Sequence, residues 1–273
     1  MPRCLVLSSY VVSALALIGC GGTGSHIAQS LARLAVHCRD TGGPALDLVF
    51  VDGDTVEAKN VGRQLFSESD IGLNKAQALA GRFSAVFGLK IIGVPKMLTS
   101  NFYQYDDRSR PKYNIIVGAV DGAAGRKAIS ATAYQFQLWI DCGNHEQSGQ
   151  VVVGNALEVN LLKGALNLGI CTRLPSAPLI YPELLVEAPA QPQLDCAAAM
   201  QDNAQSLCVN QAMAAVASQY LYQAVVQRKL TTFRTVIDLS SLTMRSDAIT
   251  ARNLAAATPL TVRELTNKRK RAA

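Results

Sequence analysis

Three glycines spaced Gly19-x-Gly21-x-x-Gly24 lie within Leu17-Ile18-Gly19-Cys20-Gly21-Gly22-Thr23-Gly24-Ser25. Such spacing can close a tight turn and set backbone N–H groups against phosphate oxygens. Alone it also fits a plain βα turn. A second constellation follows in Val51-Asp52-Gly53-Asp54-Thr55-Val56-Glu57-Ala58-Lys59-Asn60-Val61-Gly62-Arg63-Gln64, with Lys75 eleven residues beyond Gln64. An acidic residue ending the next strand suits ribose hydroxyls; Asp52 also reads as a turn or cap aspartate. The loop and helix end alone serve a dinucleotide's pyrophosphate. A nucleoside triphosphate carries more charge and needs the further cation and donor groups that Asn60, Arg63 and Lys75 supply. Singly, Arg63 and Lys75 read as surface charges.

Other reactive side chains are less decisive. Ser25 is either a first-turn residue or a phosphate donor. Asp121 ends the apolar run Tyr113–Val120 and reads as a helix cap or a ligand for a hard cation. His26, His37 and His145 lack metal-ligand spacing. His26 falls close behind the glycines, but it and His145 read as packing or surface groups. Of the seven cysteines, Cys4, Cys20, Cys38, Cys142, Cys171, Cys196 and Cys208, no two form C-x-x-C, so a zinc site built from two such pairs is excluded. An odd count without a secretion signal points to reduced thiols and a cytoplasmic location.

These groups need a scaffold, and the apolar pattern supplies one. Val12–Ile18 reads as a buried strand feeding a helix over Gly24–Cys38, where Ile27, Leu31, Leu34 and Ala35 share a face. Leu46–Val51, Lys90–Val94, Tyr113–Val120 and Leu138–Asp141 read as further strands, and residues 53–68 as an excursion without a period. Ser69 or Asp70 is expected to cap a helix running through Phe83. The βαβ alternation predicts an α/β fold with a doubly wound, mainly parallel sheet, a Rossmann-like domain. Gln150–Asn155 and Leu157–Leu162 read as strand pieces. Five of the ten prolines fall in 173–195, so a long crossing loop of about 173–207 is expected, without a regular element. A C-terminal helix from Cys208 through Gln227 and a hairpin over Thr235–Leu239 and Leu242–Arg245 complete a domain of residues 1–255. A basic tail of 256–273 is expected to follow.

The chain of 273 residues is 49% apolar and 17% charged, which suits one large folded domain rather than disorder. Much of its net charge of +6 sits in Lys268-Arg269-Lys270-Arg271. That run reads as a solvated tail, and without interleaved aromatics it lacks the stacking part of single-strand recognition, so nucleic acid is not an expected partner. The apolar start runs directly into the glycines and reads as a strand, not a signal peptide. No stretch has the ~20 apolar residues of a membrane-spanning helix.

The glycine loop, the D-x-D-x-V run from Asp52, the N-x-x-R-Q of Asn60-Arg63-Gln64 and the G-x-x-K-A ending at Lys75-Ala76 resemble the ThiF/MoeB/HesA superfamily, the adenylating relatives of ubiquitin-activating enzymes. The resemblance implies ATP and Mg²⁺ at Gly19, Gly21, Gly22 and Gly24. It puts Asp52 on the ribose, Asp54 in the same loop, and Asn60, Arg63, Gln64 and Lys75 on or beside the triphosphate. Asp121 is implied to lie near the metal. Within the superfamily, Asn60 to Ser67, Leu138-Trp139-Ile140-Asp141, Ser148-Gly149-Gln150-Val151 and Val209-Asn210-Gln211-Ala212 are similar to the ThiF-family protein of the bacterial PRTRC cassette. That cassette also encodes ubiquitin-like and conjugating-enzyme-like proteins.

The activity implied is ATP-dependent adenylation of a ubiquitin-like protein's C-terminal carboxylate, followed by thioester formation. Cys196, after the crossing loop, is the thioester candidate by resemblance. A helix N-terminus there would lower its thiol pKa, and Asp195 would oppose that. Cys208 reads as a core residue and Cys142 as the third choice. A homodimer is implied, with the 53–75 excursion at its interface. Relatives place an arginine before the first strand that reaches the partner's nucleotide; Arg3 is a poor match by position. Two other readings stand beside this one: a tRNA-modifying dehydratase of the same superfamily, and a non-catalytic nucleotide-binding protein. Arg63, Lys75 and Asp121 speak against the second.

Overall fold

The computed structural model describes residues 4–6, 12–99, 114–132, 136–167, 169–187 and 207–266. Among the described residues, twelve strands form two sheets. The strands are β1 (Cys4–Val6), β2 (Ala14–Ile18), β3 (Asp47–Val51), β4 (Ile91–Val94), β5 (Ile115–Gly118), β6 (Leu138–Asn144), β7 (Ser148–Gly154), β8 (Leu166–Asn167), β9 (Ile170–Cys171), β10 (Lys229–Leu230), β11 (Thr232–Asp238) and β12 (Thr243–Ala248). Helices are α1 (Gly22–Asp40), α2 (Lys75–Phe87), α3 (Ala123–Ala131), α4 (Ala177–Ile180), α5 (Leu207–Tyr222, continued by a π turn over Gln223–Gln227), α6 (Ala251–Ala257) and α7 (Val262–Thr266).

The large sheet has the order β12-β11-β7-β6-β5-β2-β3-β4. Neighbours from β4 to β6 run parallel, and β7, β11 and β12 continue antiparallel. Every residue of β2 is buried, as a strand covered on both faces requires. One face packs on α1, α2 and α5 through Leu15, Leu17, Ile27, Leu31, Leu79 and Met213. The other carries Ala16, Ile116, Ile129 and Trp139. All parallel strands therefore end toward the same edge, where β2, β3 and β5 deliver Gly19, Asp52 and Asp121. No described helix is long and apolar enough to cross a membrane.

Several expectations change. Helix α2 is capped by Asn74, whose side chain accepts from the Gln77 N–H at 3.1 Å, and not by Ser69 or Asp70. Asp70 instead accepts from the Ser67 N–H at 2.7 Å and pairs with Arg82. Residues 157–162 hold a 3₁₀ turn, Val159–Leu162, in which Leu162 is buried and Leu161 exposed. The proline-rich stretch begins with α4 and a 3₁₀ turn at Pro182–Leu185; Pro178 and Pro182 sit at first-turn positions, where the missing N–H has no intrahelical partner to lose. The tail does not begin at 256. Leu260 and Leu265 are buried in the main core, and the Gly164 N–H donates to the Glu264 carbonyl at 2.8 Å. Residues 267–273, with the basic run, lie outside the described residues, as do 188–206.

A small sheet of order β10-β1-β9-β8 was not foreseen. Its strands are two or three residues long, too short to show a period.

Candidate active site

The loop after β2 owes its shape to close backbone contacts. Gly19 has φ +88°, and a Cβ there would stand 2.4 Å from the Ala119 carbonyl oxygen. A Cβ on Gly24 would stand 2.0 Å from the Gly19 oxygen. Gly21 faces open space, with nothing within 4 Å of an added Cβ. No side chain caps α1, and its first turn holds no acidic residue. The positive end of the helix dipole and its uncapped N–H groups therefore face that space, as an anion site requires.

Asp52 ties the loop down. Its Oδ2 accepts from the Cys20 N–H at 2.6 Å and its Oδ1 from the Asp54 N–H at 2.8 Å. Burial pushes its carboxyl above the ordinary range, opposed by those two hydrogen bonds and by Lys75. Each oxygen keeps a lone pair for a hydroxyl donor. Asn74 Nδ2 donates to the carbonyls of Asp52 and Asp54 at 2.8 and 2.9 Å, and so joins the end of β3 to the start of α2. That junction places Lys75, which is 7% exposed, with Nζ 3.1 Å from Asp54 Oδ2. Asp54 is thus engaged as the lysine's counter-ion. The Lys75 charge also acts on the Cys20 thiol, which burial and Asp52 push up.

The excursion brings the remaining polar groups. Asn60 is 2% exposed, and its Oδ1 accepts from the Glu57 N–H at 2.9 Å. Arg63 is half-buried; its Nε donates to the Lys59 carbonyl at 3.1 Å, and no other hydrogen bond or ion pair engages its guanidinium among the described residues. Gln64 Oε1 is buried without a hydrogen-bond partner. Ser25 is a structural bridge: its hydroxyl donates to the Gly22 carbonyl at 3.0 Å and accepts from the Leu65 N–H at 3.0 Å.

Asp121 is exposed in the turn between β5 and α3. Among the described residues no three His, Cys, Asp or Glu side chains are grouped to hold a metal. The donor set therefore suits a hard cation only if phosphate oxygens and water complete its shell around Asp121. A triphosphate fits better: an uncapped helix end, a glycine cradle that side chains would fill, a buried ammonium and a guanidinium with its Nη donors unengaged.

Of the thiols, Cys142 is buried, and burial followed by Asp141 pushes it far up, against Arg126. It does not suit a nucleophile. Cys208 was expected in the core but is exposed in the first turn of α5. Cys196 lies outside the described residues. Burial lowers the pKa of half-buried His26. His145 is exposed.

Two polar groupings escaped the sequence reading. Arg126 on α3 forms a buried ion pair with Asp141 on β6, Nε to Oδ1 at 3.1 Å, and donates to the Cys142 carbonyl at 3.2 Å. Burial pushes Asp141 up to about 6, with Arg126 pulling against it. An aspartate directly following the apolar run Leu138–Ile140 on the same strand is the available signal, because a buried charge needs a partner. The other grouping joins Thr23, Asn144 and Asn210 at the start of α1; only Asn210's place at a helix start hinted at it.

Comparison with known proteins agrees with this architecture. The ThiF family model matches residues 11–258. Similar solved structures include PaaA (18% identity over 87% of this chain and 64% of that one, TM-score 0.53). Two more are E. coli MccB with ATP (17%, 87% and 63%, 0.55) and E. coli MccB with MccA (18%, 87% and 63%, 0.57). The chain spans a little under two thirds of these proteins, and at such identities the likeness is one of fold. A comparison with curated proteins found no match.

Proposed function

The chain belongs to the ThiF family, and from that membership we propose that it binds ATP with Mg²⁺ and adenylates the C-terminal carboxylate of a ubiquitin-like protein. One observation carries the proposal. Asp52 and buried Lys75 are fixed together beside an uncapped α1 N-terminus whose glycines leave room for phosphates. ATP bound to the similarly folded E. coli MccB supports the nucleotide, and MccA in the same protein supports a second substrate.

In the reaction proposed, a carboxylate oxygen attacks the α-phosphorus, the bond to the β-phosphate bridge breaks, and pyrophosphate leaves with that electron pair. The α1 N–H groups and Lys75 hold the phosphates, and Arg63 neutralises charge on the leaving group. Asp52 holds the ribose, and Asp121 contributes one carboxylate to the magnesium shell. Asn60 orders the excursion that presents Arg63. A cysteine thiolate then attacks the acyl carbon and expels AMP. Cys196 remains the candidate, with exposed Cys208 next in place of Cys142. We further propose a cytoplasmic homodimer with residues 53–75 near the interface, a place beside PRTRC-type proteins, and a conjugating-enzyme-like protein as acceptor.

The test is calorimetry with MgATP and with NAD, then a charging assay with a purified ubiquitin-like protein that ends in a free C-terminal glycine. Preferential ATP binding and a reductant-sensitive adduct lost in Cys196→Ala support the proposal. Preferential NAD binding sinks the nucleotide reading. An adduct that survives Cys196→Ala moves the thioester to Cys208.

A further inference from the structure

Asn210 lies in the first turn of α5, yet its side chain serves two other elements. Its Oδ1 accepts from Thr23 Oγ1 at 3.0 Å and from Asn144 Nδ2 at 2.7 Å. Thr23 belongs to the first turn of α1, and Asn144 ends β6. Asn144 Nδ2 also reaches to 3.5 Å from Thr23 Oγ1, so the three close a triangle. Thr23 and Asn210 are 7% and 5% exposed. The Asn210 amide lies against Gly22, where an added Cβ would stand 2.7 Å from Nδ2.

The triangle sits on the helix end that offers its N–H groups to phosphate. Those groups are rigidly attached to the first turn, so their aim depends on what fixes that turn. On one side Asp52 and Ser25 fix it, by contacts local to the loop and excursion. On the other side the side-chain link is Thr23, and through it Asn210 and Asn144. Thr23's only hydroxyl proton is committed to Asn210, so in this arrangement Thr23 presents no proton to a phosphate, and its contribution is orientation.

We infer that Asn210 is a positioning residue for the nucleotide's phosphates, holding the first turn of α1 in register with β6 and α5 through Thr23 and Asn144 without touching the nucleotide. The inference rests on the nucleotide reading above. Apolar packing could join the same three elements, but hydrogen bonds fix direction to the tolerance that phosphate binding by backbone N–H groups needs.

The test is MgATP affinity by calorimetry, together with thermal melting and the KM and kcat of pyrophosphate exchange. The proteins are the unaltered chain, Thr23→Val, Thr23→Ser, Asn210→Ala and the double variant Thr23→Val/Asn210→Ala. Thr23→Val and Asn210→Ala should each weaken ATP binding about tenfold, or about 1.4 kcal/mol. KM for ATP should rise in step, with kcat within about threefold of the unaltered value. Thr23→Ser, which keeps the hydroxyl, should restore affinity to within about twofold. The double variant should bind no more weakly than the weaker single one, because both break one link. Thr23→Val is nearly isosteric and carries the test should Asn210→Ala not fold. Singles that bind ATP normally, or losses that multiply in the double variant, overturn the inference and leave the nucleotide reading standing. An unaltered chain that binds no ATP removes both.

Discussion

Gly24 sits so close to Gly19 that a methyl group on Gly24 would lie 2.0 Å from the Gly19 carbonyl oxygen. Gly21, two residues after Gly19, has no such neighbour. The two glycines therefore answer differently to alanine. Gly24→Ala should unseat the loop, lowering the melting temperature and abolishing ATP binding. Gly21→Ala should melt near the unaltered temperature yet bind ATP at least about tenfold more weakly, since its methyl enters the space assigned to phosphate. Calorimetry and melting on both variants separate the cases; equal melting losses would mean that Gly21 is also a packing glycine.

Lys75 is buried, but its partner Asp54 is half-exposed, with 53% of its side chain accessible. Such a pair contributes at most about 1 kcal/mol to stability after solvent screening. An ammonium on a leaving pyrophosphate is worth more, so Lys75→Ala should slow pyrophosphate exchange about a hundredfold or more. Melting should fall by only a few degrees, about what such a loss produces. Exchange retained within about threefold assigns Lys75 to structure alone.

The Arg126–Asp141 pair predicts a pH signature. Asp141's carboxyl in the folded protein, at about 6, lies above its ordinary 3.8, because burial outweighs Arg126. The folded state therefore binds more protons than the unfolded state between those values, and Asp141's contribution becomes less favourable as pH rises through that window. Arg126→Met removes the one pull downward, and breaking such a pair costs about 3–5 kcal/mol. Protonation of Asp141 relieves the cost, so the variant's melting deficit should be smaller at about pH 5.5 than at about pH 8. A deficit independent of pH would show that the pair does not govern this site.

Ser25→Ala tests the bridge from the loop to the excursion. The Leu65 N–H loses its acceptor at 3.0 Å, a penalty of about 1 kcal/mol for a part-buried donor. Amide hydrogen exchange at Leu65 should accelerate, with melting lowered in proportion. Unchanged protection at Leu65 means that another acceptor serves it.

The parallel half of the fold was legible because buried strands read as unbroken apolar runs, and Gly19, Gly24 and Asp52 because a βα turn demands them at fixed offsets. What escaped depends on distant contacts. Asn74, Ser69 and Asp70 are comparable caps by residue type. Asn74 wins because its amide also reaches the carbonyls of Asp52 and Asp54, which no local pattern displays. Arg126 and Asp141 lie 15 residues apart, and Thr23 and Asn210 lie 187 apart. Cys208 looked apolar by its neighbours, but the helix turns it outward while Val209 enters the core.

Strand β1 pairs with β9 through Cys4–Ile170 and Leu5–Cys171, and with β10 through Leu5–Leu230 and Val6–Lys229. A ribosome makes β1 before any other described strand, yet its last partner emerges more than two hundred residues later. The β2–β3–β4 unit can pair as soon as Val94 is clear of the exit tunnel. Leu5 therefore gains its β9 partner only once Cys171 has been made and its β10 partner only once Leu230 has, so the small sheet ties the start of the chain to two segments far along it.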